Sequence, residues 1–125
     1  MKTLTCSKEK NRLKSDNTAE LVAVIDKNGV MKYASSSHMS VLGYMPEYCE
    51  GKLVFDMVHP ECLSDVLTRF IFMFETSQST VIEFRAKHRT KGWVWLKTKA
   101  SIISGEENSE GHLLIVSREI EKDIL

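Results

Sequence analysis

The chain carries no surplus of either charge. Seventeen Lys and Arg face seventeen Asp and Glu, a formal net charge of +0. No overall field would therefore draw it to nucleic acid or to an anionic membrane. A nucleic-acid binder shows a basic stripe with interleaved aromatics. The nearest approach is Arg85, Lys87, His88, Arg89 and Lys91 around one turn, read as a solvated hairpin end. Long apolar runs are also missing, and none nears the roughly 20 residues of a spanning helix, so no membrane insertion is expected. Met1 to Asp16 is polar and lacks the apolar centre of a secretory signal. Cysteines are few: Cys6, Cys49 and Cys62 are odd in number and irregularly spaced. That argues against a disulfide framework and for a reducing compartment, hence a cytoplasmic location.

Recognisable catalytic arrangements are lacking as well. His38, His59, His88 and His112 are scattered, and no Ser or Cys sits in a nucleophile turn. Neither a phosphate-cradling loop nor a dinucleotide fingerprint is present, so this chain is not expected to be an enzyme. Cys49, His59 and Cys62 lie close in sequence, but a tetrahedral zinc site wants four ligands and no fourth is evident. No metal is expected; His59 is read as closing a helix start and both cysteines as small packing residues.

What is there is one domain's worth of alternation and turns. With 125 residues and 42% hydrophobic content, the chain suits a single soluble core. Residues 1–18 read as a flanking segment, either a loose tail or a short helix that packs when two chains meet. Leu21 to Ile25 and Val30 to Ala34 form a hairpin around Asn28-Gly29, which takes up the positive φ of a tight turn. Ser35-Ser36-Ser37 offers hydroxyl caps for a short helix closed by Gly43, and Pro46 and Gly51 bound another turn. Val54 to Val58 is a brief apolar turn. The main helix starts after His59, with Pro60 at its first position. Leu63, Val66, Leu67, Phe70, Ile71 and Phe74 form its buried stripe, with Met73 at the margin. Phe72 points away, either incidentally or toward a partner. Three strands follow: Thr80 to His88, Trp93 to Ile103 and Leu113 to Ser117. From Arg118 the pattern turns helix-like, with Ile120 and Ile124 on one side. The domain is thus placed at residues 19–119 and the start of a connector helix at 120–125.

This succession resembles the PAS domain, a sensory and dimerisation module of signalling proteins. The resemblance rests on Asp26 to Gly29 at the first turn, Gly43-Tyr44 after the first short helix, and His59-Pro60-Glu61 opening the long helix. Trp95 on the fourth strand and Arg118-Glu119-Ile120-Glu121 at the end complete it. It implies an α+β fold: a five-stranded antiparallel sheet whose one face is covered by short helices and one longer helix. The ordering is also similar to PAS domains of sensor histidine kinases in two-component systems, including the N-terminal one of sporulation kinases.

The resemblance also directs attention to cofactors. Photoactive flavin-binding members carry a reactive Cys where Val54 stands, and Cys49 comes too early. Haem-binding members commonly use a His in the long helix, where this chain has none. The final strand offers no Asn or Gln to a flavin ring. Neither haem nor flavin is expected. An apolar interior remains, drawn from Val24, Leu42, Phe55, Met57, Phe70, Phe84, Leu96 and Ile115; it is either packed core or a cavity for a small apolar ligand. Trp93 and Trp95, which share a strand face, with Lys97, Lys99 and Ser101 as polar rim and Leu13 nearby, are expected at a homodimer interface. The output would be a kinase domain or a regulator protein, with a ligand-free interaction module as the alternative.

Overall fold

A computed structural model describes residues 19–103 and 111–122. In chain order the elements are β1 (Leu21–Ile25), β2 (Met31–Ala34), α1 (Ser37–Leu42), α2 (Pro46–Cys49), a 3₁₀ turn (Val54–Met57), α3 (Pro60–Thr76), β3 (Thr80–His88), β4 (Gly92–Ile103) and β5 (His112–Ile120). The strands make one antiparallel sheet of order β2-β1-β5-β4-β3. All three helices enter between β2 and β3, at opposite edges of the sheet, and so lie across the same face.

The first hairpin is set by local chemistry. Asp26 Oδ1 accepts from the N–H groups of Asn28 and Val30 at 2.9 and 3.0 Å, while Gly29 donates to the Asp26 carbonyl at 2.9 Å. Gly29 sits at φ 85, in the left-handed region that glycine enters freely. A Cβ there would also collide with the Phe55 ring.

Both sheet edges are covered. Met31 N–H bonds the Lys52 carbonyl and Val54 N–H the Gly29 carbonyl beside β2, while His59 N–H bonds the Arg85 carbonyl beside β3. Such cover blunts the pairing tendency of open strand edges. The His59 side chain, as expected, closes the start of α3 by accepting from Glu61 N–H at 3.0 Å.

Several expectations need correction. No serine side chain caps α1; Ser35 Oγ accepts from Val22 N–H instead, tying the helix start to β1. On α3 the buried line runs through Val66, Phe70 and Met73, and Met73 is only 1% exposed while Ile71 is 54% exposed. Phe55 packs edge-on against Phe70 at 5.0 Å, and Ile71, two residues before Met73 and so about 160° away around the helix, is left on the open side. Phe72 is exposed. His88 is buried rather than solvated, its Nδ1 accepting from Thr90 and Lys91 N–H groups to shape the turn. Arg118 to Ile120 belong to β5 and not to a helix, because the twelve-residue β4 supplies pairing partners as far as Trp95 opposite Ile120. Leu13, the rest of residues 1–18, and 123–125 lie outside the described residues.

Candidate functional site

Strand alternation sorts the sheet's side chains into two faces. Toward the helices point Leu21, Ala23 and Ile25 of β1, with Leu96, Thr98 and Ala100 of β4, all buried. Between this floor and the helices lie two adjoining cavities. One, of about 70 Å³, is bounded by Phe55, Phe70, Met73, Ile82, Thr98 and Ala100. The other, of about 60 Å³, is bounded by Leu21, His38, Leu42, Met57, Leu96 and Ser117. Val54, Val58, Phe84 and Ile115 border both.

Of the interior residues expected from sequence, Leu42, Phe55, Met57, Phe70, Phe84, Leu96 and Ile115 line these cavities. Val24 does not. It alternates with the buried Ala23 and Ile25, so it faces the opposite side, beside Tyr33 and Leu114.

The three buried polar side chains of the cavity walls escaped the sequence reading. Thr98 and Ser117 hydroxyls bond each other at 2.7 Å across β4 and β5, both buried. His38 stands at the α1 end of the smaller cavity, 5% exposed, its Nδ1 donating to the Ser35 carbonyl at 3.0 Å. Burial pushes this imidazole below its ordinary value, and the Ser35 bond offsets part of that. A signal existed for His38, four residues before Leu42 and hence on the same helix face. For Thr98 the signal was its place between Lys97 and Lys99, in alternation with Leu96 and Ala100.

The sheet's other face carries Trp93 and Trp95. Trp93 is 42% exposed and its ring lies 4.5 Å from that of His59. Trp95 is half-buried, with the Arg85 guanidinium 5.3 Å and the Lys122 ammonium 4.9 Å from its ring. Lys97 is not at the rim of this face. It pairs with Glu83 on one side and Arg118 on the other, so a charged row crosses the face between the tryptophans and the apolar Val22, Val24, Leu114 and Val116. Glu83 bonds Lys122 at 2.6 Å, which chiefly holds its carboxyl below the usual value.

Cys49 is fully buried, and Cys62 Sγ accepts from Arg85 N–H at 3.5 Å. Among the described residues no three His, Cys, Asp or Glu side chains gather as a metal site would require. Among them, too, no helix is long and apolar enough to cross a membrane.

The family model described as the PAS fold matches residues 31–116. Hypoxia-inducible factor 1-alpha of Xenopus laevis is 28% identical over 99 residues, covering 74% of this chain and 12% of that protein. The blue light receptor lreA of Aspergillus flavus is 26% identical over 113 residues, 90% of this chain and 13% of the receptor. The aryl hydrocarbon receptor nuclear translocator homolog of Drosophila melanogaster is 28% identical over 87 residues, 69% of this chain and 14% of the relative. The chain thus spans only a small part of these relatives. Among solved structures, wild-type Cycle PAS-B of Drosophila melanogaster with bound ethylene glycol aligns at TM-score 0.74 and 11% identity, over 80% of this chain and 99% of that one. A PAS domain of a Colwellia psychrerythraea protein aligns at 0.72 and 21% identity, over 89% and 95%.

Proposed function

Because this chain belongs to the PAS fold family, we propose that it is the sensing module of a longer signalling protein, taking a small apolar ligand between its helices and its sheet. The observation that carries this reading is the pair of adjoining cavities around Val54, Val58, Phe84 and Ile115. Ordinary cores pack to crystal-like density and leave few voids larger than a water. Both cavities exceed the space one water needs, and apart from the hydroxyl pair, His38 and Arg69 their walls are nearly all apolar.

The relay follows from β5. Ile115 borders both cavities, and its strand pairs with both β1 and β4 at the sheet's centre. A ligand that prefers one packing of helices on sheet shifts the equilibrium by its difference in affinity for the two states. The chain beyond Ile120 would pass that shift to an output domain. This output would be a kinase domain, as in the sensor histidine kinases whose PAS domains the ordering of elements resembles, or a regulator protein; the relatives named above lend the kinase no support. The relatives' greater length does support a module within a longer protein.

A second reading, a protein-interaction module that forms a homodimer, is favoured by the outer sheet face. Tyr33, Val81, Trp93 and Ile103 there are all more than a third exposed. Native mass spectrometry of the purified protein tests both readings together. The sensing reading expects part of the population to carry a small added mass that unfolding releases. A bare chain, even after incubation with indole, would contradict it. A dimer that Trp93→Glu converts to monomer would establish the second reading, and a monomer at high micromolar concentration would remove it.

A further inference from the structure

A third concavity lies outside the fold's interior and plays no part in the sensing reading. It is an open groove of about 540 Å³ between α1, α2 and the end of β3, bounded by Met39, Gly43, Tyr44, Met45, Tyr48, Lys87 and Arg89. Its walls are fixed to each other. Arg89 N–H bonds the Leu42 carbonyl at 2.9 Å, and Gly43, at φ 89, lets the β3 end come close. A Cβ at Gly43 would stand 3.0 Å from Arg89 Cβ. Tyr44 and Tyr48 stack at 5.3 Å with their planes 8° apart, and the Lys52 ammonium lies 4.2 Å from the Tyr48 ring centre.

The surface of this groove is unusually apolar for a position open to water. Met39 is 50% exposed and Met45 and Tyr48 are each 53% exposed. Methionines re-pack around varied apolar guests, and tyrosines are frequent anchors at protein interfaces. Lys87 and Arg89 stand beside this apolar surface, and neither makes an ion pair with another described residue. In a chain of formal net charge +0 this is a local positive field, not an overall one. An apolar floor flanked by cations is complementary to a bulky apolar side chain flanked by carboxylates.

We propose that this groove docks an acidic segment of a partner protein, anchored by a large apolar side chain against Met39, Met45 and Tyr48, with carboxylates on Lys87 and Arg89. An open groove between short helices suits a peptide better than a small metabolite, whose sites usually enclose most of the ligand.

Selection of a random displayed-peptide library on the intact chain tests the proposal. Enriched sequences should place Asp or Glu within a few residues of Leu, Ile, Phe or Trp. A synthetic peptide of the winning sequence should bind the Lys87→Glu/Arg89→Glu variant about tenfold more weakly or worse. Met45→Ala should weaken it independently, and Glu75→Lys on α3 should not. Circular dichroism melts establish that each variant is folded, and the exposure of all these side chains makes that the expected result. Winners without acidic residues, or binding that survives the charge reversal, would overturn the proposal. So would a selection with no enrichment, or a self-associated chain that Arg89→Glu turns to monomer, since a second copy would then be the occupant.

Discussion

The hydroxyls of Thr98 and Ser117 meet at 2.7 Å beneath the helices, Thr98 in the wall of the larger cavity and Ser117 in that of the smaller. Each is satisfied by the other on a floor that is otherwise almost wholly apolar, as buried polar groups require.

Removing one partner should therefore be worse than removing both. Ser117→Ala strands the Thr98 hydroxyl and is expected to cost about 1–3 kcal/mol in urea unfolding, whereas Thr98→Val with Ser117→Ala should cost less than the sum of the single changes. Additive single and double variants would show that the two hydroxyls do not depend on each other.

His38 makes stability depend on pH in a defined direction. Its folded value is lowered by burial, so between the unfolded value of about 6.5 and the lower folded value the unfolded chain binds more protons. The contribution is fully present above about pH 6.5 and is lost as pH falls toward the folded value. Denaturant melts at about pH 7.5 and about pH 5.5 should show the decline, and His38→Gln should flatten it. An equal decline in His38→Gln would move the cause to another group.

Gly29 is held by its turn and by its neighbour. Gly29→Ala forces a Cβ into a left-handed conformation and against the Phe55 ring. A loss of about 2 kcal/mol or more is expected, read from the chemical-denaturation midpoint. A loss below about 0.5 kcal/mol would mean that the 3₁₀ turn yields easily.

Similarity to a blue light receptor raises the question of flavin chemistry. Val54 borders both cavities; the family resemblance implies that it stands at the position of the reactive thiol of photoactive flavin-binding members, and a hydrocarbon cannot add to the flavin ring. Protein reconstituted with flavin and lit with blue light should show no reversible adduct bleaching. A photocycle that Cys49→Ala abolishes would refute this.

Local chemistry was the most legible part of the sequence. Asp26 to Gly29 encodes its turn through carboxylate bonds and one positive φ, and Pro60 after His59 marks the start of α3. Alternation revealed that Trp93 and Trp95 share a face with Lys97 and Lys99. It could not place Val24, because both sets of β1 side chains are apolar and only the position of the helices chooses between them. On α3 the pattern identified an apolar side, but not its centre: the sheet packs against the line of Val66, Phe70 and Met73, and Ile71, about 160° around the helix from Met73, is left exposed. Arg118 to Ile120 looked helical alone and became strand because β4 is long enough to pair with them. Thr98, Ser117 and His38 were missed for a related reason: an apolar pattern does not show polar groups that satisfy each other inside a core.

The central claim is that the interior takes a small apolar guest. The direct test is a two-dimensional amide NMR titration with indole, run on the wild-type chain and on Ala86→Leu and Ala100→Leu, each of which fills one cavity. The account predicts saturable shifts at Leu96, Thr98, Ile115 and Ser117, reduced or lost in at least one filled variant that retains its fold. Absence of saturable shifts, or shifts confined to the Trp93 and Trp95 face and unchanged in both variants, would contradict it.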